Sequence, residues 1–274
     1  MITETTVEIR SRETDYLLST LLLINFQEPS MLKIRINQDI NCHECPVNYL
    51  CLPGHLSVEE IDRINSIITK LRIVSRNEML FQMEDKLHNI YAVYSGFCKS
   101  YWIDESGIEH IDSFYLPGDI IGLESISNRT YSFSTVALRD TKLCVIPLDA
   151  LLDSMLQSSD LLDRMIRIMS YKMQTYQSIC MTTNASQRIA DFILNILFRS
   201  HGRSVLQNAI NLSISQLDIA NFLGMAHETV NRILKKFQQN EIIRIEKKTI
   251  NIINIEYLKK LGTSPHHFNQ MQKI

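Results

Sequence analysis

No stretch of this sequence is apolar for long enough to be read as a membrane span. The longest apolar run near its start, residues 17–26, is broken by Ser19, Thr20 and Asn25 and is shorter than the roughly 20 residues a bilayer requires. Acidic Glu4, Glu8, Glu13 and Asp15 precede it, where a signal peptide would carry basic residues. The expectation is a short amphipathic arm packed on the body of a cytosolic protein, with no membrane partner. Net charge is also lacking. The 28 Lys and Arg against 30 Asp and Glu leave a formal −2, which excludes a polybasic nucleic-acid coat, so any attraction for DNA must come from a local patch. Catalytic signatures are missing as well: there is no G-x-S-x-G, Walker loop, dinucleotide glycine fingerprint or H-E-x-x-H. The eight histidines are scattered, and His266-His267 read as solvated tail residues. An enzyme is not expected. Internal repeats and low-complexity tracts are absent. Six cysteines in a long chain in which no leader is expected do not suggest a disulfide framework, so their spacing carries the information.

What is present divides along the chain. The 274 residues allow two compact domains plus connecting elements, and 45% apolar content is that of an ordinary globular protein. Residues 1–41 have no clear period and read as an arm, while 42–56 are cysteine-rich and end at the Pro53-Gly54 turn. From about residue 72 to 147, β-rich runs such as Ile90-Tyr91-Ala92-Val93-Tyr94 and Val136-Ala137-Leu138 alternate with turn signals. These are Arg76-Asn77, Ser95-Gly96, Ser106-Gly107, Pro117-Gly118-Asp119 and Ser127-Asn128. Turns spaced roughly ten residues apart predict a sandwich or barrel, taken as a β domain over 57–155.

After Pro147 the period becomes helical. Leu162, Ile166, Met169, Met173, Tyr176 and Cys180 are spaced 4, 3, 4, 3, 4, the a/d seam of a coiled coil. A helix lying on its own β domain would also satisfy this spacing. A seam kept this long favours a parallel partner, and a homodimer is expected through a dimerisation helix and hinge over 156–200. Methionine in the seam is flexible filler and suits a dimer of tunable strength. Residues 263–274 look like a tail.

The stretch QLDIANFLGMAHETVNRIL, residues 216–234, carries a helix-turn-helix pattern. Ile219, Leu223, Val230 and Ile233 supply two apolar faces, Ala220 is small where the helices cross, and Gly224 sits where the turn needs positive φ. Ser215 with Asp218 is a candidate N-terminal cap. Downstream, Ile242-Ile243-Arg244-Ile245 and Thr249-Ile250-Asn251-Ile252 flank Lys247-Lys248 and read as a two-stranded wing. Lys235, Lys236, Lys247 and Lys248 with Arg232 and Arg244 form the local basic face hidden in the overall charge. The DNA reader is expected over 201–262.

Cys42-x2-Cys45-x5-Cys51 puts three thiols in one short loop. Such a loop wraps one face of an iron–sulfur cluster if a fourth ligand comes from elsewhere. Structural zinc usually needs a second paired knuckle, for which His43 and His55 are conceivable substitutes, and free thiols are a third reading. Cys98 and Cys180 read as buried small hydrophobes. Cys144, in Lys142-Leu143-Cys144-Val145-Ile146-Pro147, reads by itself as a strand residue.

GMAHETVNRIL, residues 224–234, with Lys248-Thr249-Ile250, resembles the cyclic-AMP receptor/FNR superfamily of transcription regulators, and the resemblance extends over nearly all of 42–262. It implies an α+β fold: an N-terminal antiparallel β-roll (a double-stranded β-helix), a long dimerisation helix and a C-terminal winged helix-turn-helix. It also implies that the second helix enters the major groove of a palindromic double-stranded operator, one helix per half-site. Glu228 and Arg232 become base readers, consistent with Glu accepting from a cytosine amino group and Arg gripping guanine. His227, Asn231, Lys247 and Lys248 join them as DNA contacts. Three residues depart from the pattern. Ala226 stands at an N-cap where Ser or Thr is expected, Asn231 where FNR-like members usually carry Ser, and Lys247 where the wing turn usually has glycine.

The resemblance bears on the cysteines too. FNR-type members hold an oxygen-sensitive 4Fe–4S cluster through C-x2-C-x5-C and one cysteine at the end of the β-roll, positions matched here by Cys42, Cys45, Cys51 and Cys144. Cyclic-nucleotide binding needs an arginine and a glutamate at positions occupied here by Ser134 and Leu123, so cyclic AMP is not expected. What the resemblance implies is an anaerobic, oxygen-responsive regulator that works with RNA polymerase. The alternatives are a superfamily regulator with structural zinc or free thiols, responding to another ligand or to nitric oxide, and a redox enzyme, against which the helix-turn-helix argues.

Overall fold

The computed structural model describes residues 40–182, 184–201, 209–211 and 214–262. All but the last two residues of the expected arm, and the whole of the expected tail, lie outside them. Helix α1 (Val58–Ile67) begins where the Ser57 hydroxyl accepts the Glu60 amide, the standard use of serine at an N-cap. Six antiparallel strands follow: β1 (Lys70–Val74), β2 (Met79–Phe81), β3 (Asn89–Ile103), β4 (Glu109–Tyr115), β5 (Ile120–Ile121) and β6 (Ser134–Pro147). The order β1-β6-β3-β4 puts two long strands at the centre, paired from Asn89↔Pro147 to Tyr101↔Ser134, while β2 pairs with β6 and β5 with β3. Leu71, Val74, Ile90, Leu143 and Ile146 are buried inside this antiparallel β-roll.

One expected turn is not a turn. Ser95-Gly96 lies within β3, which runs on through three register shifts. Gly96 has φ +109, and a Cβ there would collide with Thr141. Glycine here permits a bulge rather than a reversal. The Thr141 hydroxyl accepts the Phe97 amide at 3.0 Å, giving the displaced donor a partner across the irregularity. A local glycine signal does not distinguish these outcomes; the β6 side chain opposite does.

Helix α2 (Leu148–Gln157) leads to α3 (Ser159–Met181), whose N-cap Ser158 accepts the Leu161 amide. Helix α3 has two faces. Leu161, Arg164 and Met165 are buried, while Leu162, Ile166, Met169 and Met173 are 42, 53, 43 and 63% exposed. Among the described residues no helix is long and apolar enough to cross a membrane.

Helix α4 (Ala185–His201) precedes β7 (Ala209–Asn211), α5 (Gln216–Leu223), α6 (His227–Gln239), β8 (Ile243–Glu246), β9 (Thr249–Ile252) and α7 (Ile255–Leu261). Strands β7-β9-β8 form a second small sheet. Ile189, Ile193 and Leu197 of α4 share a core with Ile219, Leu223, Val230 and Leu234. The helical part of this unit therefore starts upstream of the boundary expected at 201. The same core takes in Phe97, Ile111 and Phe114 from the roll. Phe114 packs on Phe192 and Phe222, with ring centroids 6.0 and 5.2 Å away.

Candidate DNA interface and thiol site

At the start of α5 the capping box is complete. The Asp218 amide donates to Ser215 Oγ at 3.0 Å, and the Ser215 amide donates to Asp218 Oδ2 at 2.9 Å. Gly224 ends the helix at φ +59, with open space around a would-be Cβ, so the turn selects glycine for its backbone and not for room. Helix α6 then starts at Ala226, which offers no side-chain cap, at a cost of about 1 kcal/mol relative to Ser or Thr. Val230, Ile233, Leu234 and Phe237 anchor it in the core. Glu228, Arg232, Lys235 and Lys236 are exposed; His227 and Asn231 are half-buried and bonded to each other, Nε2 to Nδ2, at 3.2 Å. In the wing, Glu246↔Thr249 closes the β8–β9 hairpin around Lys247 and Lys248, both exposed like Arg244. Lys247 has φ +54, the left-handed conformation that the usual glycine takes without strain. The basic residues expected to face DNA are therefore at the surface of one helix and one hairpin.

The four cysteines singled out by spacing and resemblance come together. Cys144 lies on β6 opposite Leu71 of β1 and Ala92 of β3. The tight turns of residues 45–51 bring Cys42, Cys45 and Cys51 to the same apolar hollow, which Ala92, Val93, Ile64 and Ile68 also line. Burial, then the neighbouring Cys45, pushes the Cys42 thiol up to about 11. Burial, then Cys42 and Cys45, pushes Cys144 up to about 12. Cys51 is raised by burial and by Cys144, and Cys45 by burial against the opposing Val47 amide. Four mutually opposed thiols in an apolar setting ionise together only around a cationic centre, and sulfur donors suit iron–sulfur chemistry. On donor chemistry these residues fit a cluster. The hollow between them is only about 20 Å³, room for about one water, so a larger group requires the loop to stand further off the sheet. Among the described residues, no three His, Cys, Asp or Glu side chains converge on a point where one ion would sit. The histidines considered as zinc partners turn elsewhere: His43 Nε2 meets Asp62 Oδ1 at 2.7 Å, and His55 lines a separate cleft beside α3. Cys98 is buried and bonded to Thr141, away from the hollow.

The sequence did not signal Arg164. Its Nε and Nη2 donate to the Cys51 carbonyl at 3.2 and 2.8 Å, and Nη2 reaches the Tyr49 carbonyl at 3.4 Å. A Cβ on Gly54 would lie 2.7 Å from the same Nη2, so the loop wraps closely around the guanidinium. Arg63 donates to the Gln157 carbonyl, and the Ser158 hydroxyl to Glu60. These bonds tie the thiol loop and α1 to the start of α3. A usable signal existed: Leu161, Arg164, Met165 and Ile168 keep the i, i+3, i+4, i+7 spacing of an inward face, with arginine occupying one position.

Of the proposed seam, Leu162, Ile166, Met169 and Met173 share the exposed face. Tyr176 departs from it: its hydroxyl donates to the Asp112 carbonyl and Oδ2 at 3.2 and 3.1 Å, so it pins α3 to its own roll. The Cys180 side chain lies outside the described residues. Leu123 is buried, and the Ser134 hydroxyl accepts the Met83 amide.

Two family models match the chain: a Crp-like helix-turn-helix domain over residues 187–261 and a cyclic nucleotide-binding domain over residues 71–158. "Transcriptional activator protein Anr" of Pseudomonas protegens is 34% identical over 226 residues, covering 81% of this chain and 93% of that protein. "Fumarate and nitrate reduction regulatory protein" of Yersinia pestis is 34% identical over 229 residues, covering 82% and 92%. The solved structure of FixK2 from Bradyrhizobium japonicum superposes with a TM-score of 0.63 at 22% identity, covering 71% of this chain and 97% of that one.

Proposed function

Because the chain belongs to the Crp/Fnr family of DNA-binding transcription regulators, which are not enzymes, we propose that it is an oxygen-responsive member whose DNA affinity depends on a 4Fe–4S cluster. Cys42, Cys45, Cys51 and Cys144 would hold it. What supports this most is that these four thiols, and neither candidate histidine, line one buried hollow beside the start of α3. When bound, the cluster supplies a metal centre whose survival depends on the absence of oxygen.

The chain's own residues do the rest. Thiolates drawn together fix the 42–53 loop, and Arg164, Arg63 and Ser158 carry its position to the first turns of α3. The exposed Leu162, Ile166, Met169 and Met173 then pair with the same residues of a second copy, as in a coiled coil. Dimerisation presents two α6 helices to two half-sites, Glu228 and Arg232 reading bases and Lys247 and Lys248 contacting phosphates. Released thiols leave the loop undirected, and the population shifts toward monomer. In the cytoplasm the DNA-bound dimer would act on RNA polymerase. Ser134 and Leu123, in place of an arginine and a glutamate, argue against cyclic AMP as the effector.

Anaerobically purified protein should contain iron and sulfide in equal amounts, absorb in the visible, and lose both colour and operator affinity in air. Zinc, or metal-free thiols with undiminished operator binding, would refute the reading.

A further inference from the structure

A buried lysine joins the β-roll to the first helix of the DNA reader's helix-turn-helix. Lys99, on β3, donates to Glu109 Oε1 of β4 at 2.6 Å and to Asp218 Oδ1 of α5 at 2.8 Å. The Lys99 and Asp218 side chains are only 12 and 16% exposed. Burial alone would lower the ammonium's pKa, but the two carboxylates outweigh it and the shift is upward, so the lysine stays charged. Asp218 is not free to follow a moving partner. Its Oδ2 accepts from the Ser215 amide and hydroxyl, so swinging it away would uncap α5.

The surroundings make this contact directional. Lys99, Tyr101 and Arg76 of the roll face Lys247 and Lys248 of the wing across a cleft of about 600 Å³. Roll and reader are thus not in continuous contact here, and the lysine bridges them at the cleft's edge. Elsewhere they meet through Phe114, Phe192 and Phe222, and through Arg199 of α4, which donates to the Phe114 carbonyl at 2.8 Å and to Asp119 Oδ2. Apolar burial holds two bodies together without fixing their angle, whereas charge-assisted hydrogen bonds specify direction, so Arg199 anchors α4 to the roll and Lys99, at a second point, fixes how α5 lies about that anchor. Helix α3 is bound to the roll through Tyr176–Asp112 and through Lys172, which donates to the Ile120 carbonyl at 3.2 Å. The angle of the reader on the roll is therefore also its angle on α3.

We propose that Lys99 is a specificity-determining positioning residue: together with the Arg199 anchor it sets the orientation of the DNA reader, and through it the half-site spacing that a dimer accepts. The proposal rests on the dimer reading above. In a dimer joined along α3, a change in reader angle moves one α6 relative to the other. Half-sites must lie one helical turn, about 34–36 Å, apart, and one base pair is a step of about 3.4 Å.

The test measures affinity of the anaerobic full-length protein for palindromic duplexes with identical half-sites and centres shortened or lengthened by one and two base pairs. A duplex with a single half-site is included. Lys99→Met should reduce discrimination between the preferred and neighbouring spacings by about tenfold, a typical coupling between sites, while single-half-site affinity stays unchanged. Lys99→Arg should retain the preference. Should Lys99→Met not fold, Glu109→Gln, which removes one of the two carboxylates, should still lessen the discrimination. A preference left intact in these variants, or an equal loss on every duplex including the single half-site, overturns the proposal. If the wild type binds as one chain per duplex with no spacing preference, the dimer reading itself fails and the proposal fails with it.

Discussion

Replacing Arg164 by methionine removes a buried guanidinium while keeping much of the side chain's length and its helix preference. Two bonds to the Cys51 carbonyl and a longer one to the Tyr49 carbonyl are lost. A hydrogen bond from a charged donor contributes about 1.5–3 kcal/mol. With two of these bonds sharing one acceptor and another near the distance limit, docking of the thiol loop on α3 should weaken by about 2–4 kcal/mol. Global stability should respond differently. Burial disfavours the charged guanidinium and lowers its pKa, so methionine removes a desolvation cost as well as the bonds, which offsets part of their loss. The expectation is a change in unfolding free energy smaller than the local effect. Hydrogen exchange on metal-free protein separates the two. The Cys51 and Gly54 amides, which donate to the Val47 and Cys51 carbonyls, should exchange about 30- to 700-fold faster at 1.4 kcal/mol per decade. Amides in the middle of β3 and β6 should keep their protection. Unchanged exchange in the loop would refute the tie, and an equal loss throughout the roll would show that Arg164 supports the fold in general.

Cys144→Ser should abolish anaerobic iron and sulfide, because a hydroxyl is a poor ligand for soft metal centres; Cys98→Ser should leave both, and the reverse pattern would sink the ligand assignment. Met173→Asp places like charges across the proposed seam at a residue that is 63% exposed in the single chain, so sedimentation should show a monomer with normal thermal unfolding. Arg232→Ala should cost roughly 1–3 kcal/mol on the preferred operator and relax one base position; equal losses on operator and random DNA would rule out base reading. Burial, then Glu124, raises the Asp112 pKa above its ordinary 3.8. The folded protein thus holds a proton that the unfolded chain releases, and Asp112's contribution to stability, complete below 3.8, is lost as pH rises through the folded value. Asp112→Asn keeps an acceptor for Tyr176, so it should raise the urea midpoint at neutral pH and lose that advantage in acid; no gain at neutral pH contradicts the sign.

The DNA reader was legible because its signals are local. Ser215 with Asp218, Gly224, and the Lys247-Lys248 hairpin each act over four or five residues, and the side chains alone predict where the helices start and stop. The thiol site was legible only in half. The 42–51 loop could be seen from spacing, but Cys144 joins it through pairing of β6 with β1 and β3, and non-local register has no signature in a short window. Only the resemblance picked Cys144 out from Cys98. Arg164 was missed and Tyr176 misjudged for a related reason. Helical spacing identifies a face without saying what lies against it, and both faces of α3 turned out to carry long side chains, one set against the roll and the other exposed. Gly96 shows the limit for strands, where a turn and a bulge need the same residue.

On the proposed phosphate contact, Lys247 puts thermal endurance and DNA affinity in conflict at one position. Its left-handed backbone costs a residue with a Cβ about 1–2 kcal/mol, and a glycine would relieve that strain while deleting a wing cation, lowering the salt slope of binding by about 0.9. A population screened only for heat resistance would gain by Lys247→Gly and drift toward a sturdier wing that grips its operator less.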